Sequence, residues 1–193
     1  MQPPPLQEIK ASAIYEFIED LANASPGAQA DEIEVVRKAP ENNIQGLRQT
    51  PRELFIRKSY RIRTANPTTK YLRSEYEILQ HLRHPNIVQY ADFEQKQDEK
   101  GKWTASLYME YCSGGDLSSY TSRDGQSGKS VSGQQLWQIF FQLASALLYC
   151  HTGLHADENG RVREDTSWRR PVIHRDIKPS NGALPSLHVK LQS

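Results

Sequence analysis

The segment from Gln134 to His151 sets the first limit on the fold. Ser132, with Gln135 three residues later, has the form of a capping box, in which side chains and backbone satisfy each other at a helix start. The helix this opens is predicted to run to about His151. Leu136, Ile139, Phe140, Leu143 and Leu147 fall on one face of it, and Trp137, Phe141 and Leu148 on others. A helix apolar nearly all round has to be buried inside a larger body. At 193 residues the chain can supply one domain, or one domain with a small partner.

Composition excludes several classes. Hydrophobic residues make up 37% and charged residues 24%, as in ordinary globular proteins. A formal net charge of +1 lacks the basic footprint of a nucleic-acid binder. No apolar run approaches the ~20 residues needed to span a bilayer. Nucleic acid and membrane are therefore not expected partners. The Pro-rich start, Met1 to Gln7, lacks the basic-then-apolar order of a secretory signal. Cys112 and Cys150 are too few for a disulfide framework and are expected reduced, in an intracellular protein of the cytoplasm or nucleus.

Along the chain, residues 1–13 are expected as a flexible leader. Ile14, Phe17, Ile18 and Leu21 have helical spacing. Ile33, Val35 and Val36 predict a strand, residues 39–52 a surface loop, and Leu54-Phe55-Ile56 a short strand ending at Lys58. Leu72, Tyr76, Leu79 and Leu82 predict a helix over 70–83. Strands are expected over 86–93 and 106–111, with a hairpin tip over 94–102 between them. Residues 121–130 are Ser/Gly-rich and expected flexible, and 152–170 form a polar insertion. Leu187 to Leu191 is a possible last strand.

One motif decides the class. His174-Arg175-Asp176-Ile177-Lys178-Pro179-Ser180-Asn181 resembles the catalytic loop of eukaryotic protein kinases. Phosphoryl transfer asks for positioning and charge stabilisation more than for covalent chemistry. The resemblance makes Asp176 the acceptor of the substrate hydroxyl proton and Asn181 a magnesium ligand. Lys178 steadies the transferred phosphate, as in serine/threonine kinases; tyrosine kinases usually lack it. His174 is implied to be structural.

Other segments follow in family order. Leu54-Phe55-Ile56-Arg57-Lys58 resembles the strand whose lysine grips the α- and β-phosphates, with bulky Ile56 and Arg57 as departures. Glu75, nine residues before His84, matches the helix glutamate that pairs with Lys58, and Glu77 is its near competitor. His84-Pro85-Asn86-Ile87-Val88 resembles the structural turn into the next strand. Met109-Glu110-Tyr111-Cys112 and Ser113-Gly114-Gly115-Asp116-Leu117 resemble the hinge between lobes. Met109 would back the adenine pocket, Glu110 and Cys112 would offer backbone hydrogen bonds to adenine, and Asp116 would lie near the ribose. The combination is most similar to the NimA-related (NEK) kinases. Taken alone, Lys58 and Glu75 read as solvated charges and Gly114-Gly115-Asp116 as an ordinary turn.

Two places depart from the pattern. Tyr15 to Leu21 resembles the strand entering the glycine-rich loop, which overrides the helical spacing. In the loop that follows only Gly27 matches; Ala22 and Ala24 replace glycines, and Pro26 removes an N–H donor. The chain also ends just before the Asp-Phe-Gly motif would come, so the 193-residue chain is expected to be inactive by itself.

The resemblance implies an α+β, bilobal fold, with ATP and Mg²⁺ between the lobes and Ser/Thr-bearing proteins as substrates. Residues 14–111 would be an N-lobe with an antiparallel sheet and one helix, carrying an insertion near 39–52. Residues 112–193 would be the hinge and an incomplete helical C-lobe, with an insertion near 152–170. The alternative is a non-catalytic, pseudokinase-like nucleotide- or protein-binding module. A zinc module through Cys112, Cys150, His151 and His155 has no common ligand spacing.

Overall fold

The computed structural model describes residues 7–21, 30–39, 54–62, 68–126, 131–157, 159–184 and 190–191. The chain forms two compact units. One comprises Met1–Gln80 and Tyr90–Tyr111; the other comprises His81–Gln89 and Cys112–Ser193.

The first unit is a five-stranded sheet in the order β1-β2-β3-β5-β4 with one helix. Its strands are β1 (Tyr15–Asp20), β2 (Glu32–Lys38), β3 (Leu54–Ile62), β4 (Tyr90–Gln97) and β5 (Trp103–Glu110), and the helix is α1 (Thr68–Leu79). All neighbouring strands are antiparallel. Val35, Val36, Phe93, Leu107, Tyr108 and Met109 are buried. The helical spacing of Ile14 to Leu21 does not make a helix. Phe17 and Ile18 stay exposed, so there is no buried stripe to reward one, and the backbone ladder to β2 makes this segment a strand.

Other boundaries move for local reasons. β3 continues past Lys58 to Ile62 because β5 pairs with it as far as Ile62↔Trp103. β4 starts at Tyr90, so Ile87 and Val88 are buried in a turn rather than in a strand. That turn is closed by Ile87 N–H donating to the His84 carbonyl (3.1 Å) and Asn86 N–H donating to His84 Nδ1 (3.1 Å). Burial, then His155, pushes the His84 pKa down to about 4, so the ring is neutral and its Nε2–H faces Ser145 Oγ at 3.2 Å. The expected structural role of this segment takes that form. The hairpin tip shrinks to 98–102, where Asp98 Oδ1 accepts from Lys100 and Lys102 N–H.

The second unit holds α2 (Leu117–Gln126), α3 (Gly133–Thr152), a hairpin of β6 (Leu154–Ala156) and β7 (Val162–Glu164), a 3-10 turn at Pro179–Asn181, and β8 (Gly182–Ala183) paired with β9 (Lys190–Leu191). Residues 121–126, expected to be flexible, belong to α2. Asp116 caps it, accepting from Ser119 N–H (2.8 Å) and Ser119 Oγ–H (2.7 Å). The capping box of α3 forms as predicted, Gln135 N–H donating to Ser132 Oγ and Ser132 N–H to Gln135 Oε1.

The polar insertion over 152–170 is built around the β6–β7 hairpin. α3 ends at Gly153 (φ 74°), and a Cβ there would lie 2.8 Å from the Trp168 ring. Trp168 Nε1–H and Val172 N–H both donate to the Cys150 carbonyl. Only the C-terminal part of α3 is thereby covered: Ala146, Tyr149 and Cys150 are buried. Trp137 (77% exposed), Phe140 (65%) and Phe141 (72%) are open, and so are Leu136 and Leu148. The described residues therefore leave most of the apolar faces of α3 uncovered, as expected of a helix that calls for a larger body around it. Contiguous apolar surface of this kind drives association. The purified 193-residue chain should elute above monomer mass in size exclusion with light scattering, and Trp137→Gln with Phe141→Gln should return it to monomer. A wild-type monomer at every concentration would contradict this.

Candidate active site

In the second unit the motif residues converge on one carboxylate. Arg175 adopts a left-handed backbone (φ 66°), uncommon for a residue with a Cβ, which turns the chain sharply before Asp176. Asp176 N–H donates to His174 Nδ1 at 3.3 Å. Lys178 Nζ lies 2.8 Å from Asp176 Oδ2. Asn181 Nδ2 donates to the Asp176 carbonyl (2.8 Å) and to Asp176 Oδ2 (3.0 Å). The 3-10 turn, begun by Pro179 and closed by Asn181 N–H on the Lys178 carbonyl, brings the amide back to the aspartate. Lys178 first, then Asn181, holds the Asp176 carboxyl below its ordinary value, so it is ionised at neutral pH. These contacts use Oδ2 and leave Oδ1 outside them.

The hinge-like glycines have a structural reason. Gly114 N–H donates to the Leu184 carbonyl (2.7 Å) and Leu184 N–H to the Gly115 carbonyl (2.8 Å). A Cβ on Gly114 would sit 2.4 Å from the Leu184 carbonyl oxygen, so only glycine fits there. Asp116 bridges to Ala183 through its backbone, while its carboxylate caps α2. Cys112 accepts Gly115 N–H at its carbonyl.

In the first unit Lys58 stands on β3 opposite Leu107 of β5 and Ile33 of β2. Burial pushes its pKa down to about 8, and the Glu75 carboxylate opposes that fall. Glu75, on α1, accepts from Tyr90 Oη at 3.4 Å, and burial together with Glu75 pushes Tyr60 up to about 12. Its competitor Glu77 is instead paired with Arg73 at 2.9 Å on the exposed face of the helix. Met109 is buried opposite Ile56 and Tyr90, and Glu110 lies opposite Phe55. Gly27 lies outside the described residues, with the loop around it.

The residues of the zinc alternative do not assemble. Among the described residues no group of three His, Cys, Asp or Glu could hold a metal ion. Neither cysteine is in a disulfide, and burial pushes the Cys150 thiol up to about 11. Nor is any described helix long and apolar enough to cross a membrane. Asp165, which accepts from Tyr149 Oη–H, and Trp168, which donates to the Cys150 carbonyl, were not distinguishable in sequence: nothing in a polar insertion marks which of its residues meet α3.

Residues 42–191 match the family model of the protein kinase domain. The G2-specific protein kinase nimA of Emericella nidulans is 32% identical over 174 residues, covering 82% of this chain and 24% of that protein. The G2-specific protein kinase fin1 of Schizosaccharomyces pombe is 39% identical over 114 residues, covering 58% of this chain and 15% of that protein. The mouse serine/threonine-protein kinase Nek2 is 36% identical over 121 residues, covering 62% and 24%. The chain thus spans at most about a quarter of the length of these curated relatives.

Proposed function

Because this chain belongs to the protein kinase domain family, with NimA- and Nek-type serine/threonine kinases among its relatives, we propose that it serves transfer of the ATP γ-phosphate to serine or threonine hydroxyls of protein substrates. The observation that carries this is the single carboxylate Asp176, shared by Lys178 and Asn181. In this reading Asp176 accepts the hydroxyl proton, and Lys178 is placed to hold the migrating phosphoryl oxygens. Asn181 spends its Nδ2 on Asp176, so its carboxamide oxygen suits a hard cation; Mg²⁺ bound there would supply charge neutralisation. Lys58, oriented through Glu75, serves the α- and β-phosphates. Met109 packs against the adenine, the backbone of Glu110 and Cys112 recognises it, and Asp116 lies toward the ribose. Gly27 belongs to the phosphate-covering loop.

The division into an N-lobe over 14–111 and a hinge with partial C-lobe over 112–193 belongs to the same proposal. So does an intracellular compartment, which suits the unbridged cysteines. The non-catalytic alternative is not favoured: the relatives are named kinases, and Asp176, Lys178 and Asn181 are all present.

The reading is tested by incubating the full-length protein with ATP, Mg²⁺ and a serine-rich substrate protein; absence of phosphoserine would overturn it. Lys58 adds a pH signature. With its pKa at about 8, the ammonium is about nine-tenths charged at pH 7 and about one-tenth at pH 9. Only the charged form holds phosphate, so nucleotide affinity should fall as pH rises through this range. Bound phosphate favours the ammonium, so the midpoint should move upward in the complex. Lys58→Arg, charged throughout, should flatten the profile. Identical profiles for the two would remove Lys58 from the phosphate contact.

A further inference from the structure

The N-terminal segment crosses the sheet of the first unit as a strap. At one edge Ile9 exchanges both backbone hydrogen bonds with Gln95 of β4 (2.8 and 2.7 Å), and Gln95 Nε2–H donates to the Gln7 carbonyl. At the other edge the segment enters β1. Between these edges the Tyr15 ring stacks on Tyr108 of β5, with centroids 4.1 Å apart, and meets Phe55 of β3 edge-on. A cavity of about 420 Å³ lies beneath, lined by Lys10, Ile14, Tyr15, Arg57, Glu94 and Tyr108 among others. Residues 7–13 are thus tied down, contrary to the loose leader expected of them.

One carboxylate holds the crossing. Asp92, 4% exposed, accepts at Oδ2 from Ser12 N–H (2.7 Å), Ser12 Oγ–H (2.8 Å), Ala13 N–H (3.2 Å) and Tyr15 Oη–H (3.4 Å). Its other oxygen accepts Phe93 N–H. Among the described residues no cation pairs with it. Arg57 and Lys96, which line the same cavity as the strap, are paired with Glu34 and Glu94. A buried carboxylate satisfied only by neutral donors tolerates the loss of one donor but not the arrival of a second anion. Ser12 itself is exposed, and Lys10 stands two residues before it.

We propose that Ser12 is a phosphoacceptor and that its phosphate undocks the strap. The docked hydroxyl is engaged by Asp92, so reaction occurs in the briefly opened strap, which only a handful of hydrogen bonds hold to the sheet. Ser12 Oγ attacks the γ-phosphorus of ATP held by a serine kinase. The Oγ–P bond forms, the bond from the γ-phosphorus to the bridging oxygen breaks, ADP leaves, and the hydroxyl proton passes to that kinase's carboxylate base. The phosphoserine carries about −1.5 to −2 charge and cannot return to Asp92. The modification traps the open strap and uncovers Tyr108 and Phe55. The inference does not depend on the chain's own activity.

The test treats the full chain with MgATP and a basophilic serine kinase, maps the phosphates by mass spectrometry, and follows hydrogen exchange. Phosphate on Ser12 should raise exchange of the Ile9, Ser12 and Ala13 amides by about tenfold or more, with β3 and β5 amides unchanged as the control for folding. Ser12→Ala keeps both backbone donors to Asp92 and should raise exchange by less than about threefold, separating loss of a hydroxyl from gain of a charge. If other serines are labelled while Ser12 is refused, Ser12 is no phosphoacceptor. If a chain with phosphoserine incorporated at position 12 during translation exchanges like the unmodified one, the strap is no latch.

Discussion

Replacing Asp176 by Asn in the full-length protein should lower phosphate transfer to serine by about 10²–10⁴-fold, the range of a general base, with little change in the KM for ATP. The asparagine has nearly the same shape and can still accept from Lys178 and Asn181 at its oxygen, so the loop of Arg175 to Asn181 should persist. What it cannot do is take a proton. Lys178→Ala should also slow transfer, and it should let the Asp176 pKa rise, because the Lys178 contact is the first cause of its depression. The pH–rate profile of that variant should then lose activity at higher pH on its acid side than the parent does. Equal rates for Asp176→Asn and parent would show that Asp176 is no base and that the convergence on its Oδ2 is structural.

The largest stability effect is expected at Tyr149. Its ring is fully buried, tilted against His84 with centroids 5.2 Å apart, and edge-on to His155 at 6.1 Å. Its hydroxyl accepts from Arg83 N–H (2.8 Å) and donates to Asp165 of the insertion. One side chain thus joins α3, the turn around His84 and the hairpin insertion. Tyr149→Ala should cost about 3–5 kcal/mol, as for other large aromatic truncations, against a total of about 5–15 kcal/mol for a domain. Thermal melting should lose most of its cooperativity. Tyr149→Phe keeps the ring and strands the Arg83 N–H, at about 1–3 kcal/mol. If the alanine variant melted within a few degrees of the parent, the insertion would be an ornament on the unit rather than part of its core.

Much of the candidate site was legible in the order of residues because its chemistry is local. Asp176, Lys178 and Asn181 lie within six positions, and a proline-led turn is enough to gather them. The capping box at Ser132 was legible for the same reason, since both its hydrogen bonds close within three residues. Glu75 and Glu77 were separable only by register to His84. The structure adds the physical reason: α1 presents Glu75 toward Tyr90 and Tyr60, whereas Glu77 meets Arg73 on the outside.

What sequence could not supply were the long-range contacts. Asp92 is one acidic residue in a strand, and nothing within a few positions tells that a serine 80 residues earlier will donate to it. The insertion reads as polar filler, yet Trp168 and Asp165 bind it to Cys150 and Tyr149. Periodicity described α3 correctly as a helix with several apolar faces, but it reports which faces are apolar and not what stands opposite them. By itself the sequence determined the family, the element types with local signals, and the clustering of Asp176, Lys178 and Asn181. Tertiary structure alone decided what pairs with the strand Tyr15 to Asp20, which residues of α3 are buried, and where the N-terminal strap lies. Each of those depends on a partner distant in the chain, whose burial and backbone pairing outweigh local preference.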